Sequence, residues 1–166
     1  MDRQHFDVMV RAAERADAAG IAEIYDHYVA TSYATFETEP VPAEEFSGRI
    51  DDPHYPFLVA EIERDLVGFA YAHSYRPRRA YRSTAEISVY IRPGHEGQGI
   101  GHSLYSRLFE LLRASDLHAI VAGIALPNDA SVRLHESFGM RKVAHLHEVG
   151  RKFDRWIDVG YWELIL

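Results

Sequence analysis

Three glycines at every second position, Gly97, Gly99 and Gly101, stand at the head of a run in which Ile100, Leu104, Leu108, Leu111 and Leu112 recur at helical spacing. A carboxylate, Glu86, opens the segment before them. These residue types suggest two chemistries. A helix N-terminus carries N–H groups without an intrahelical acceptor and a partial positive charge. An anion can rest there if no side chain blocks it, and glycine removes the Cβ and permits positive φ. A carboxylate beside such a cradle can take a proton from a nucleophile once burial lifts its pKa. Plainer readings stand beside both: a tight turn with a glycine-rich helix start, and an exposed strand carboxylate alternating onto the polar side with Ser88 and Tyr90. The spacing matches neither common phosphate loop, because Gly-x-x-x-x-Gly-Lys-Ser/Thr is absent and the last offset of Gly-x-Gly-x-x-Gly is wrong.

The elements that must position these residues follow from periodicity. Ile87, Val89 and Ile91 alternate with Glu86, Ser88 and Tyr90 as a strand, which Pro93 and Gly94 stop. Upstream, Val8–Ala12 reads as a strand, Ala16–Thr31 as a helix, and Ser32–Glu39 as an aromatic and acidic loop. Pro42 opens a helix through Ile50. Phe57–Ile62 and Leu66–Ser74 form a hairpin around Glu63-Arg64-Asp65. The loop from Tyr75 to Arg82 holds Arg76, Arg78, Arg79 and Arg82, either a solvated segment or a clamp for an anion. His118–Leu126 is apolar enough for a strand buried on both faces. Asn128 or Asp129 caps a helix that ends near Phe138-Gly139. Val143–Val149 and Trp156–Leu164 pair around residues 150–154. The order β-α-α-β-β-β-α-β-α-β-β predicts one α/β domain over residues 1–166 with a mixed sheet.

Composition limits the function. The 166 residues are 47% hydrophobic and 12% aromatic, enough for a sizeable core. With 18 basic against 25 acidic residues, the formal net charge of −7 speaks against a nucleic-acid or membrane-surface binder. No cysteine is present, which removes disulfides, thiolate catalysis and cysteine-based zinc sites. No apolar run reaches membrane-spanning length and Met-Asp-Arg-Gln-His is no signal peptide, so a soluble cytoplasmic protein is expected.

Two segments together carry a resemblance. The strand, glycine-rich turn and helix, followed by a strand and then Asn128, Ala130, Leu134 and Phe138-Gly139, resemble the GCN5-related N-acetyltransferase (GNAT) superfamily. Ser83–Tyr90, Leu126–Glu136 and the tail from Gly150 to Trp162 are similar to its phosphinothricin and methionine-sulfoximine acetylating branch, and the likeness runs from Val10 to Leu164. The fold this implies is α/β (α+β): a central mixed, mostly antiparallel sheet of about seven strands flanked by four helices. The activity implied is transfer of an acetyl group from acetyl-CoA to the primary amine of a small amino-acid-like substrate, without a metal.

The resemblance also assigns roles. Gly99 and Gly101, with Gly97, Gln98, Ile100 and His102, would hold the CoA pyrophosphate. Val89, Tyr90 and Ile91 would run beside the pantetheine, with Asn128 and Ser131 at its other side. Glu96 departs from the family's Gln or Arg, and its charge would repel a pyrophosphate unless it points outward. Glu86 is the candidate base, and His135 is a second candidate base or the acid for the thiolate. The backbone N–H of Val89 or Tyr90 is the candidate donor to the thioester oxygen. Arg78, Tyr81 and Tyr90, with Phe36 as a wall, would receive the acceptor amine. A homodimer is implied, with the aromatic tail (Trp156, Tyr161, Trp162) as either its interface or core. A protein or peptide acetyltransferase, and a CoA-binding sensor without turnover, remain the alternatives. His145 and His147 face one side of a strand, but no carboxylate accompanies them at ligand spacing, so strand-surface histidines are expected.

Overall fold

The computed structural model describes residues 7–166. Seven strands form one sheet in the order β1-β2-β3-β4-β5-β7-β6. They are β1 (Met9–Ala12), β2 (Phe57–Ile62), β3 (Asp65–Ser74), β4 (Thr84–Ile91), β5 (Ala119–Leu126), β6 (Arg141–Lys152) and β7 (Arg155–Ile165). The α-helices among the described residues are α1 (Ala18–Thr31), α2 (Ala43–Ile50), α3 (Ile100–Arg113) and α4 (Asp129–Ser137). The element order is the one expected from periodicity, and β4–β5 is the parallel pair in an otherwise antiparallel ladder.

Alternation gives each sheet face its own core. Ala70, Ala72, Ile87, Ile120 and Ala122 pack with Leu104, Leu108, Phe109 and Leu112 of α3. On the opposite face Phe57, Phe69, Tyr71 and Tyr90 pack with Ile21, Ile24 and Tyr25 of α1 and Phe46 of α2. β5 departs from expectation here. Ile120, Ala122 and Ile124 are buried, but Val121 is only half-buried and Gly123 is exposed, so one face of this strand is left open. Its apolar run marks a strand with small side chains at the mouth of a cavity.

The opening arises from strand pairing. β4 and β5 pair only from Thr84–Glu86 to Ala119–Val121, while β5 stays with β7 as far as Leu126. Beyond Glu86 the two parallel strands diverge. The β6–β7 hairpin is longer than periodicity indicated, because Phe153 and Asp154, at φ 50° and 57°, close it as a two-residue turn with both residues left-handed. No helix of the described residues is long and apolar enough to cross a membrane.

Candidate active site

A cavity of about 540 Å³ fills the divergence between β4 and β5. Ser88–Ile91 line one wall, Gly123–Ala125 the other, and the first turns of α3 and α4 close it. The phase of the β3–β4 ladder decides which backbone groups face it. The Arg92 N–H donates to the Val67 carbonyl at 2.8 Å. Antiparallel pairs alternate, so Tyr90, Ser88 and Glu86 turn their N–H groups to β3 and Val89 and Ile91 turn theirs into the gap. Of the two candidate donors, Val89 thus faces the cavity and Tyr90 does not.

The glycine turn leaves its backbone uncovered. Gly97 and Gly99 have φ of +73° and +82°, and a Cβ on either would project into open space within the cavity's lining. Gly99 caps α3. The first intrahelical bond runs from the Ser103 N–H to the Gly99 carbonyl at 3.0 Å, leaving Ile100, Gly101 and His102 N–H groups without an intrahelical acceptor. Gly101 has a different purpose: a Cβ there would come within 3.2 Å of Leu134 Cδ2, so glycine lets α3 approach α4. Gln98 is spent on the loop, its amide donating to the Gly94 carbonyl at 3.3 Å. The Glu96 carboxylate turns back on the turn and accepts the Gly94 N–H at 2.7 Å. It nonetheless stays on the cavity rim, where its charge, after burial, contributes to raising the pKa of Tyr28.

Asn128 caps α4, its Oδ1 accepting the Ser131 N–H at 3.1 Å, and both residues line the cavity. His135 lines it too but is buried among protein partners. Its Nδ1 lies 2.7 Å from the Ser131 carbonyl, an acceptor only, so Nδ1 carries the proton. Nε2 therefore accepts from the Tyr105 hydroxyl at 2.9 Å. Burial holds the His135 pKa below its ordinary value, opposed by the Ser131 carbonyl, and the ring is neutral at pH 7. Tyr105 was not legible as a site residue, because it sits inside the apolar stripe of α3 and reads as core.

Glu86 is half-buried on the face of Ser88 and Tyr90, opposite His73 of β3. It is not itself a lining residue, but Oε1 lies 3.6 Å from where a Gly123 Cβ would be, at the edge of the gap. Its carboxylate accepts no hydrogen bond from the described residues. Burial raises its pKa, and the charges of His73 and Arg76 pull it back.

The expected amine-binding residues do not converge in the cavity. Tyr90 lines it, with its hydroxyl donating to the Ala34 carbonyl at 3.3 Å. Arg78 and Tyr81 stand exposed on the β3–β4 loop, tied to each other through the backbone. Arg76, over the Tyr75 ring at 4.9 Å, is the loop arginine whose charge reaches Glu86. Phe36 lies against the backbone of Gly150 on β6, where a Cβ would come within 2.4 Å of its ring. In the aromatic tail Trp162 is core and Trp156 is exposed.

Residues 10–160 match the model of the acetyltransferase (GNAT) domain. This chain belongs to the GNAT acetyltransferase family. It is 42% identical over 163 residues to a phosphinothricin N-acetyltransferase of Streptomyces coelicolor, covering 95% of each chain. It is 38% identical over 160 residues to an L-methionine sulfoximine/L-methionine sulfone acetyltransferase of Salmonella typhimurium, covering 95% of this chain and 94% of that one. A phosphinothricin acetyltransferase from Sinorhizobium meliloti, solved in complex with acetyl-CoA, superposes with a TM-score of 0.91 at 33% identity over 96% of this chain and 88% of that one. The protein is an N-acetyltransferase whose co-substrate is acetyl-CoA, and the family's reaction needs no metal. The residues present fit that co-substrate: an open glycine cradle at a helix N-terminus and a cavity beside a strand with free N–H groups.

Proposed function

We propose that this GNAT acetyltransferase is a single domain that acetylates the primary amine of a small amino-acid-like acceptor of the phosphinothricin, methionine sulfoximine or methionine sulfone type. The observation that carries this reading is the Glu86 carboxylate, half-buried and without a hydrogen-bond partner among the described residues, at the edge of the gap between β4 and β5. The names of the two curated relatives support the acceptor class.

Acetyl-CoA supplies an electrophilic thioester. An alkyl amine is mostly ammonium at pH 7, so its nitrogen needs a base. Glu86 takes that proton, directly or through water, at a pKa raised by burial. The freed nitrogen attacks the thioester carbonyl carbon, the C–S bond breaks, and the proton the nitrogen then sheds goes to the departing sulfur, so that CoA leaves as the thiol. The Val89 N–H donates to the thioester oxygen from within the gap. The N–H groups at the head of α3 and at Gly97 and Gly99 hold the pyrophosphate, and Asn128 and Ser131 border the pantetheine side. His135 holds the Tyr105 hydroxyl and the first turn of α4. Arg76, Arg78 and Tyr81 offer donors to the acceptor's oxygens at the Glu86 end of the sheet.

A homodimer belongs to this proposal. Val143, Leu146, Val149 and Trp156 of the β6–β7 pair are 52%, 41%, 55% and 59% exposed, and these uncovered apolar side chains are the observation behind it. Sizing chromatography that returns a monomer removes it. The reaction is tested by thiol release from acetyl-CoA with phosphinothricin, methionine sulfoximine and methionine sulfone offered separately. Turnover on at least one is expected, whereas acetyl-CoA binding without turnover on any amine makes the protein a sensor.

A further inference from the structure

The β6–β7 pair brings together three groups that lie far apart in sequence. His145 and His147 sit two residues apart on β6, and their rings stack with centroids 4.5 Å apart at 27°. Asp158 comes from β7. Its Oδ2 lies 2.7 Å from His145 Nε2 and 3.2 Å from His147 Nδ1. One nitrogen from each histidine and one carboxylate oxygen all fall within 4.8 Å of one another. The carboxylate absent from the local sequence is thus supplied by the neighbouring strand. None of the three residues lines the β4–β5 cavity.

We propose that His145, His147 and Asp158 form a surface site for a divalent transition-metal cation of the zinc class, separate from the acetyl-transfer centre. Two imidazoles and a carboxylate are the nitrogen and oxygen donors that zinc takes in a tetrahedral site, with bonds of about 2.0–2.2 Å. Ligand atoms around such an ion are roughly 3.4 Å apart, so the cluster needs only a slight opening to admit it. The fourth position faces solvent, since His147 is 79% exposed. The Asp158 carboxylate is already aimed: its Oδ1 accepts the Glu148 N–H at 2.8 Å, the kind of outer bond that fixes a ligand's orientation. The formal charge of −7 favours a cation. One group opposes it. Lys142 Nζ lies 3.0 Å from His145 Nδ1 and swings away when Nε2 ligates and Nδ1 takes the proton.

The site has a structural consequence. The β6–β7 register shifts between Leu146 and Gly150, next to the two histidines, and Gly150 is the seat of Phe36. A cation bridging β6 to β7 there locks this irregular stretch of the hairpin. Binding to the folded chain raises its melting temperature by mass action.

The test uses tag-free, full-length protein stripped with a chelator and titrated with zinc chloride against a chromophoric competitor, with thermal unfolding read in parallel. The wild type should take up one zinc per chain and rise in Tm. His147→Ala and His145→Ala should each weaken uptake by at least about tenfold, the low end of the loss caused even by an outer-shell change, and abolish the rise. Both variants should keep wild-type acetyl transfer without zinc, which shows that they fold. Equal zinc affinity in wild type and His147→Ala, or no rise in wild-type Tm with zinc in excess, overturns the site and leaves a proton-bridged His–Asp–His cluster.

Discussion

The Tyr105 hydroxyl donates to His135 Nε2 at 2.9 Å, and both residues are buried. With Nδ1 bonded to the Ser131 carbonyl at 2.7 Å, His135 has no free lone pair to offer an incoming amine. This arrangement supports the proposal that Glu86, which has no hydrogen-bond partner among the described residues and stands at the edge of the gap, is the base rather than His135.

The pH profile separates these roles. Glu86→Gln should cut kcat at saturating acetyl-CoA and remove the acid limb of the kcat/KM profile. In the wild type that limb should lie above the ordinary carboxylate range, because burial favours the neutral form. Arg76 lowers the Glu86 pKa, so Arg76→Gln should move the limb upward, and by more than Arg78→Gln does. An unchanged limb in Glu86→Gln sinks the base assignment.

His135 should appear in stability instead. Its folded pKa is depressed by burial below the unfolded value of about 6.5. Below that pH the unfolded chain binds a proton that the native ring refuses, so stability falls as pH drops through the window beneath 6.5 and is flat above it. The slope contributed is at most about 1.4 kcal/mol per pH unit. Denaturant unfolding of His135→Gln between pH 5 and 8 should lose that share of the slope; an identical pH dependence would show that the ring titrates freely.

The glycine cradle predicts a selective effect on acetyl-CoA. At Gly99 the φ of +82° strains any L-residue, and a Cβ would meet no protein atom within 4 Å. Gly99→Ala should displace an anion from the helix N-terminus. Losing one charge-assisted hydrogen bond costs about 1.5–3 kcal/mol, roughly ten- to a hundredfold in KM for acetyl-CoA. The KM for the amine should change little, and an equal rise in both constants would place the fault in the fold rather than in the cradle.

Lys152 ties the tail hairpin to the loop after α1. Its buried ammonium donates to the carbonyls of Ser32 and Thr35 at 2.6 and 2.8 Å and reaches that of Tyr28 at 3.3 Å. Lys152→Met leaves those acceptors unpaired and should destabilise the protein by about 1–3 kcal/mol. Limited proteolysis should then cut within residues 32–40, and resistance equal to wild type would count against the tie. Gly150→Ala, which pushes on the Phe36 ring, should alter KM for the amine and spare KM for acetyl-CoA if Phe36 walls the acceptor's path.

The local sequence determined the element order, the glycine turn into α3, a helix cap at Asn128 or Asp129 and the one-sided alternation of β4, because each rests on contacts or steric limits within a few residues. It also carried the family, through segments whose order the fold preserves. Tertiary structure alone decided the rest. The divergence of β4 from β5 opens the cavity, and it comes from pairing between strands far apart in the chain. The phase of the β3–β4 ladder turns the Val89 N–H toward that cavity and the Tyr90 N–H away. The apolar stripe of α3 concealed Tyr105, whose hydroxyl matters only because α4 brings His135 against it. Arg76 and Arg78 look alike in one loop, yet it is Arg76 whose charge pulls on Glu86. His145 and His147 had no carboxylate until β7 set Asp158 beside them, since a strand's neighbours are chosen by the sheet and not by the segment.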